Sequence, residues 1–237
     1  MNTREESEKK RYSHCNNIQE REDVIFVYPI EFNNDPNMIA NAMQKVMNFL
    51  KEITGLGPTT FFSQRVMVGY RHQNDEGGHK TKPIWTQNRI SIPWKYLKMP
   101  NQPLDVCTHE LVHPFFRCSP LHDRNEGWGE GFCEFLRGPL KKIVGLDGDN
   151  WWKKMIKAAQ DKVDSSYSYP AGQFVLKAYE NYKSADGSRT ISDLISDHDA
   201  ISSYVKSIFS RFEKISLSTY IEPSPKMIKK WKDKNKI

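Results

Sequence analysis

The chain holds 237 residues, of which 38% are hydrophobic and 12% aromatic, at a mean hydropathy of −0.71. That is enough to bury the core of one large domain or two small lobes, which excludes a mainly disordered chain. No apolar run approaches the roughly 18–20 residues of a membrane-spanning helix, and Gly and Pro, 13 each, show no collagen-like or low-complexity period. The net charge of +6 sits almost entirely in residues 226–237, which hold six Lys and one Asp. Basicity therefore belongs to a tail and not to a broad surface, so no specific nucleic-acid binding is expected.

Residues 1–22 carry five basic and five acidic side chains and almost no large aliphatics, and they read as a mobile arm. With no apolar signal-like run there, a cytoplasmic compartment is the expectation. Four cysteines, Cys15, Cys107, Cys118 and Cys133, are too few and too spread for a disulfide scaffold. Cys118 and Cys133 are able to pair only in an oxidising compartment, and Cys107 reads as a buried thiol.

The β-branched run Asp23–Ile30 predicts a buried strand. Asn34-Asp35-Pro36 then opens a helix in which Ile39, Met43, Val46, Leu50 and Ile53 recur at three- and four-residue spacing until Gly55. Arg65–Tyr70 and Asn88–Pro93 are further strands around a polar loop. A helix follows over Asn101–Phe116, opened by Pro103 and stopped by Pro114. Beyond it the pattern is helical throughout: Asn125–Leu136, Trp151–Val163, Ala171–Tyr182 and Ala200–Ile215, with breaks at Gly138-Pro139 and Asp186-Gly187. Trp151-Trp152 reads as core-facing, while His14, His72, His79 and His198 read as solvated.

The sharpest feature is His109-Glu110-Leu111-Val112-His113. Residues four apart lie on one face of a helix, so both imidazoles can reach one zinc ion, with Glu110 placed to take a proton from a metal-activated water. A catalytic zinc site usually takes three protein ligands. His122, Asp123, Glu126, Glu130 and Glu134 all follow closely, and the three glutamates stand on one helical face. Three like charges there repel one another unless a cation sits beside them. Trp128, Phe132, Phe135 and Leu136 interleave with them, which a plain solvated acidic face would not do.

This HELVH followed by Glu130-Gly131-Phe132-Cys133-Glu134-Phe135 resembles the gluzincins, zinc metallopeptidases whose third ligand is a glutamate on the next helix. The second element is similar to the EGxAEY-type motif of the aminopeptidase-N-like and plant basic-secretory-protein-like branches. The resemblance implies one Zn2+ per chain held by His109, His113 and Glu130, with Glu134 as the acid that orients a zinc histidine. A rival register, Asn125-Glu126-Gly127, is similar to the family's NEG signature and would make Glu126 the ligand. Asp123 and His122 are the remaining alternatives. The metzincin pattern needs a histidine six positions after His113, where Ser119 stands. Tyr169-Pro170-Ala171-Gly172 is similar to the Tyr-x-x-Gly helix start of the aminopeptidase-like members, which implies that Tyr169, or its neighbour Tyr167, steadies an oxyanion. The Gly-x-Met-Glu-Asn element that anchors a free amine in aminopeptidases is absent. Asn88–Ile92 stands there instead, like the edge strand on which zincins align an extended substrate. Endopeptidase action therefore fits better than exopeptidase action.

The expectation is an α+β, zincin-like fold in which a small mixed sheet and the active-site helix (23–117) precede a helical C-terminal lobe (118–225), between the arm (1–22) and the basic tail (226–237). Its expected function is that of a zinc metallopeptidase acting on a peptide or protein substrate, with Glu110 as base and Tyr169 at the oxyanion. Arg124 and Arg137 near the acidic helix bind a substrate carboxylate or, on the simpler reading, form surface ion pairs. Two other classes stay open: a catalytically inactive zincin-fold binding module, and a binder of an anionic partner through the Lys-rich tail.

Overall fold

The structure, a computed structural model, describes residues 12–54, 65–71, 84–86, 89–116, 126–162 and 167–211. Its architecture is α+β. Five strands form one mixed sheet: β1 (Asn17–Glu20), β2 (Val24–Tyr28), β3 (Val66–Tyr70), β4 (Ile84–Thr86) and β5 (Arg89–Ile92), in the order β1-β2-β3-β5-β4. The central strands β2, β3 and β5 are parallel, with Val24 opposite Val66 and Met67 opposite Arg89. Such strands, covered on both faces, read as continuous apolar runs, and VIFVY and VMVGY are of that kind. Between β2 and β3 runs helix α1 (Pro36–Thr54), whose five periodic residues Ile39, Met43, Val46, Leu50 and Ile53 are all buried.

Two outer strands pair antiparallel, β1 with β2 and β4 with β5. Both correct expectations from the sequence. The described part of the first 22 residues is not a mobile arm. Tyr12 is buried, its hydroxyl donates to the Ile90 carbonyl (3.2 Å) and lies 2.8 Å from Ser91 Oγ, and β1 adds four residues to the sheet. His14 is not simply solvated either, since its Nε2 lies 2.7 Å from the Tyr70 carbonyl oxygen. Nor is the described part of Asn88–Ile92, strand β5, an edge. Strand β5 has a neighbour on each side, and the sheet edge on that flank is β4.

The rest of the described chain is helical: α2 (Gln102–Glu110), α3 (His113–Phe116), α4 (Glu126–Ile143), α5 (Gly148–Gln160), α6 (Ser168–Ala185), α7 (Ile191–Ser196) and α8 (His198–Arg211). Helices α4, α5 and α6 pack on one another. The last, α8, returns to α1, where the His198 ring meets Phe49 edge-on at 4.7 Å. One apolar core runs from β2 through α1 and α2 to α4, α5, α6 and α8, so the sheet and the helical part share it.

The predicted break at Gly138-Pro139 does not occur, since α4 runs straight through it. Pro139 cannot donate to the carbonyl four residues back, and a proline inside a helix costs about 3 kcal/mol for that reason among others. That carbonyl, Phe135 O, instead accepts from Trp152 Nε1 at 2.8 Å. The indole has room because Gly138 has no Cβ, which would collide with Trp152 Nε1. Next to it, Trp151 Nε1 donates to the Glu134 carbonyl at 3.1 Å. Trp152 of α5 thus supplies from outside the bond that Pro139 removes, and Trp151 adds a second indole contact to the neighbouring carbonyl.

Candidate metal centre

Helix α2 starts at Asn101, whose φ of 62° is left-handed, with Pro103 in the first turn where its missing N–H is not needed. It ends at Glu110, six residues before the Phe116 end of the helix expected from the sequence. Pro114 has no N–H to give the Glu110 carbonyl, so the α-helical bonding cannot continue through it. The backbone tightens instead: Val112 N donates to His109 O (3.0 Å) and Phe115 N to Val112 O (3.0 Å). The HELVH segment therefore bridges the last turn of α2 and the first of α3, and its two histidines still converge.

His109 Nε2 and His113 Nε2 are 3.2 Å apart. The Glu130 carboxylate joins them from α4, with Oε2 at 3.1 Å from His109 Nε2 and Oε1 at 3.7 Å from His113 Nε2. Glu110 closes the group with Oε2 at 3.9 Å from His113 Nε2, and ligand atoms of His109, Glu110 and His113 all lie within 4.8 Å of one another. The spacing suits a tetrahedral ion. With bonds of about 2.0–2.1 Å, donor atoms around zinc stand about 3.3 Å apart. Two imidazole nitrogens and a carboxylate are also the donor chemistry that zinc takes.

Glu134 stands one turn beyond Glu130, with Oε1 3.0 Å from His109 Nδ1. The oxygen lies off the direction of a well-formed N–H bond, so the contact is best described as an ion pair. A carboxylate there favours a proton on Nδ1, which turns the Nε2 lone pair toward Glu130 and His113. Two electron-rich nitrogens and a carboxylate oxygen facing one another call for a proton or a cation between them. Without a metal the proton takes that place. Burial disfavours the charge on His109, but contacts with Glu130 and Glu134 and the charge of Glu110 outweigh it and raise the imidazole to about 10. A metal has to displace that proton.

Glu110 is 9% exposed. Burial pushes its carboxyl up to about 7, with His109 and Arg137 opposing and Glu130 and Glu134 adding to the rise. A buried carboxylate with raised proton affinity beside a cluster of metal donors is fitted to take up a proton. On the other side of His113, Cys133 Sγ lies 3.6 Å from Nδ1. Burial, helped by the neighbouring glutamates, holds this thiol well above its usual range, so it stays neutral. Cys133 is a free buried thiol and Cys107 another, while Cys118 falls outside the described residues.

Tyr169 is half-buried in the first turn of α6, and Tyr167 is exposed at that helix's start. The next residue, Pro170, seats α6 directly on α4 beside Glu130. A Cβ added to Gly131 would fall 2.5 Å from Pro170 Cβ and 2.9 Å from the Ala171 nitrogen. This explains the glycine after Glu130: a side chain there would push the start of α6 away from α4. His122, Asp123 and Arg124 lie outside the described residues, and of Glu126 only its place in α4 is described.

Two residues that frame the site carry no expectation of that role from the sequence. Arg137 is not a surface ion-pair residue, since its side chain is 14% exposed and bridges Glu134 to Asp105 of α2. Burial would raise the Asp105 carboxyl, but Arg137 and Lys141 outweigh it and hold it below the usual carboxylate range. The available signal is spacing: Asp105 precedes His109 by one turn, and Arg137 follows Glu134 by one turn. Comparison with protein-family models, with curated proteins and with solved structures finds no match to the chain. Among the described residues no helix is long and apolar enough to cross a membrane.

Proposed function

We propose that this chain is a zinc-dependent metallopeptidase of zincin-like fold, hydrolysing internal peptide bonds. The observation that carries the reading is the convergence of His109 Nε2, His113 Nε2 and the Glu130 carboxylate at 3.1–3.7 Å, with buried Glu110 beside them. His109, His113 and Glu130 hold the ion. A bound zinc supplies a Lewis acid that polarises the scissile carbonyl and makes a nearby water more acidic. Glu110 accepts a proton from the attacking water and delivers it to the amine nitrogen as the C–N bond breaks. Glu134 keeps His109 oriented, and the Tyr169 hydroxyl donates to the carbonyl oxygen as negative charge grows on it. Among the described residues the short strand β4 is the last on its flank of the sheet, an edge along which an extended peptide can pair.

The test is incubation of the zinc-loaded protein with a mixed peptide library, read by mass spectrometry. Cleavage at internal bonds is expected, lost on chelation and restored by zinc. Release of single N-terminal residues would contradict the endopeptidase part. A zinc-loaded protein that cleaves nothing would replace the enzyme reading by that of a zinc-stabilised binding module.

A further inference from the structure

We infer that Arg137 is a positioning residue of the metal centre: its guanidinium fixes the Glu134 carboxylate against His109 and so sets the direction in which His109 Nε2 faces. The inference rests on the reading of His109, His113 and Glu130 as zinc ligands.

Arg137 Nη1 donates to both oxygens of Glu134, at 3.2 and 3.3 Å, and Nη2 donates to Asp105 Oδ2 at 2.6 Å. Glu134 Oε1 is thus shared between the guanidinium and His109 Nδ1. The guanidinium is held in its turn. It lies over the Trp151 ring, 4.1 Å from the centroid, and the same indole donates to the Glu134 backbone carbonyl. Asp105 on the far side is gripped a second time by Lys141 Nζ. Every charged group in this chain of contacts has an opposite partner, as partly buried charges require.

The order of contacts follows the helices. Asp105 and His109 are one turn apart on α2, while Glu130, Glu134, Arg137 and Lys141 climb the facing side of α4. A simple clamp between these helices would be met by Asp105 and Lys141 alone. Arg137 adds a planar guanidinium whose Nη2 is held by Asp105, so that Nη1 meets the Glu134 carboxylate from one fixed direction, which the single freely rotating ammonium of a lysine cannot reproduce. Partners that orient a ligating histidine typically govern metal affinity 10–100-fold.

The test is a double-mutant cycle on zinc affinity, measured by chelator competition in the full chain. Arg137→Met and Glu134→Gln are each expected to weaken zinc binding about 10–100-fold. In the Glu134→Gln background, Arg137→Met is expected to add less than about 2-fold, because its effect passes through Glu134. Arg137→Lys is expected to give an intermediate loss, and it carries the same cycle if Arg137→Met does not fold. Unchanged affinity in Arg137→Met would overturn the inference. So would an equal loss in both backgrounds, which would mark Arg137 as a helix clamp. A wild-type protein that takes no zinc would overturn the metal reading itself, and that outcome shows before any variant is made.

Discussion

Glu110→Gln is expected to keep its zinc and to lose peptide hydrolysis by about 10²–10⁴-fold, the usual contribution of general acid–base catalysis. The exchange keeps size and shape, so the buried position next to α4 stays filled. What it removes is the ability to accept a proton from water and return it to the leaving nitrogen. The three groups proposed to hold the ion, His109, His113 and Glu130, are untouched, and Glu110 lies on their flank at 3.9 Å from His113 Nε2. Losing a carboxylate that burial already makes proton-hungry leaves no other base among the described residues so placed. The measurement is the turnover of a peptide found in the library screen, with zinc content determined on the same sample. Full activity in Glu110→Gln would remove this residue from the mechanism. Loss of zinc together with activity would make it a ligand and not a base.

Trp152→Ala is expected to destabilise the protein by at least about 3–5 kcal/mol, the range for removing a large buried aromatic side chain. Trp152 is 1% exposed, stacks on Phe135 with ring centroids 5.5 Å apart, and fills the space above Gly138. Truncation opens that space and also strips the Phe135 carbonyl of its donor in the very turn where Pro139 offers none. Trp152→Phe separates the two effects. It restores most of the volume but not the N–H, and should cost about 1–3 kcal/mol for the buried carbonyl left unpaired. Both values follow from denaturant unfolding of the full chain. A loss below about 1 kcal/mol for Trp152→Phe would mean that α4 tolerates Pro139 without the indole's help.

The parts legible in the sequence are those whose cause is local. Periodicity over Ile39–Ile53 located α1, the β-branched run located β2, and two histidines four apart with a glutamate-bearing helix behind them pointed to the residues that converge. What escaped depends on partners distant in the chain. Strand β1 is Asn-Ile-Gln-Glu, with no apolar run to announce it; it is a strand because its backbone pairs with β2. Three residues suffice for β4 because β5 is already built, and β4 takes over the sheet edge. Gly138-Pro139 looks like a break until an indole 13 residues further on supplies the missing bond. Arg137 reads as a surface charge until α2 brings Asp105 against it and α5 brings Trp151 under it. The alternation of helical spacing with glutamates predicts that a cation belongs near α4, the resemblance names Glu130, and the packing of α2 on α4 brings the Glu130 carboxylate against both imidazoles.

The central claim is that His109, His113 and Glu130 hold a metal ion. It is tested most directly by elemental mass spectrometry of the purified wild-type chain beside Glu130→Ala and Glu126→Ala, each after zinc reconstitution and removal of excess. One zinc per chain in the wild type and in Glu126→Ala, with loss in Glu130→Ala, is the result this account predicts. Zinc lost only in Glu126→Ala would move the third ligand to the start of α4, and a wild-type chain without zinc would contradict the account.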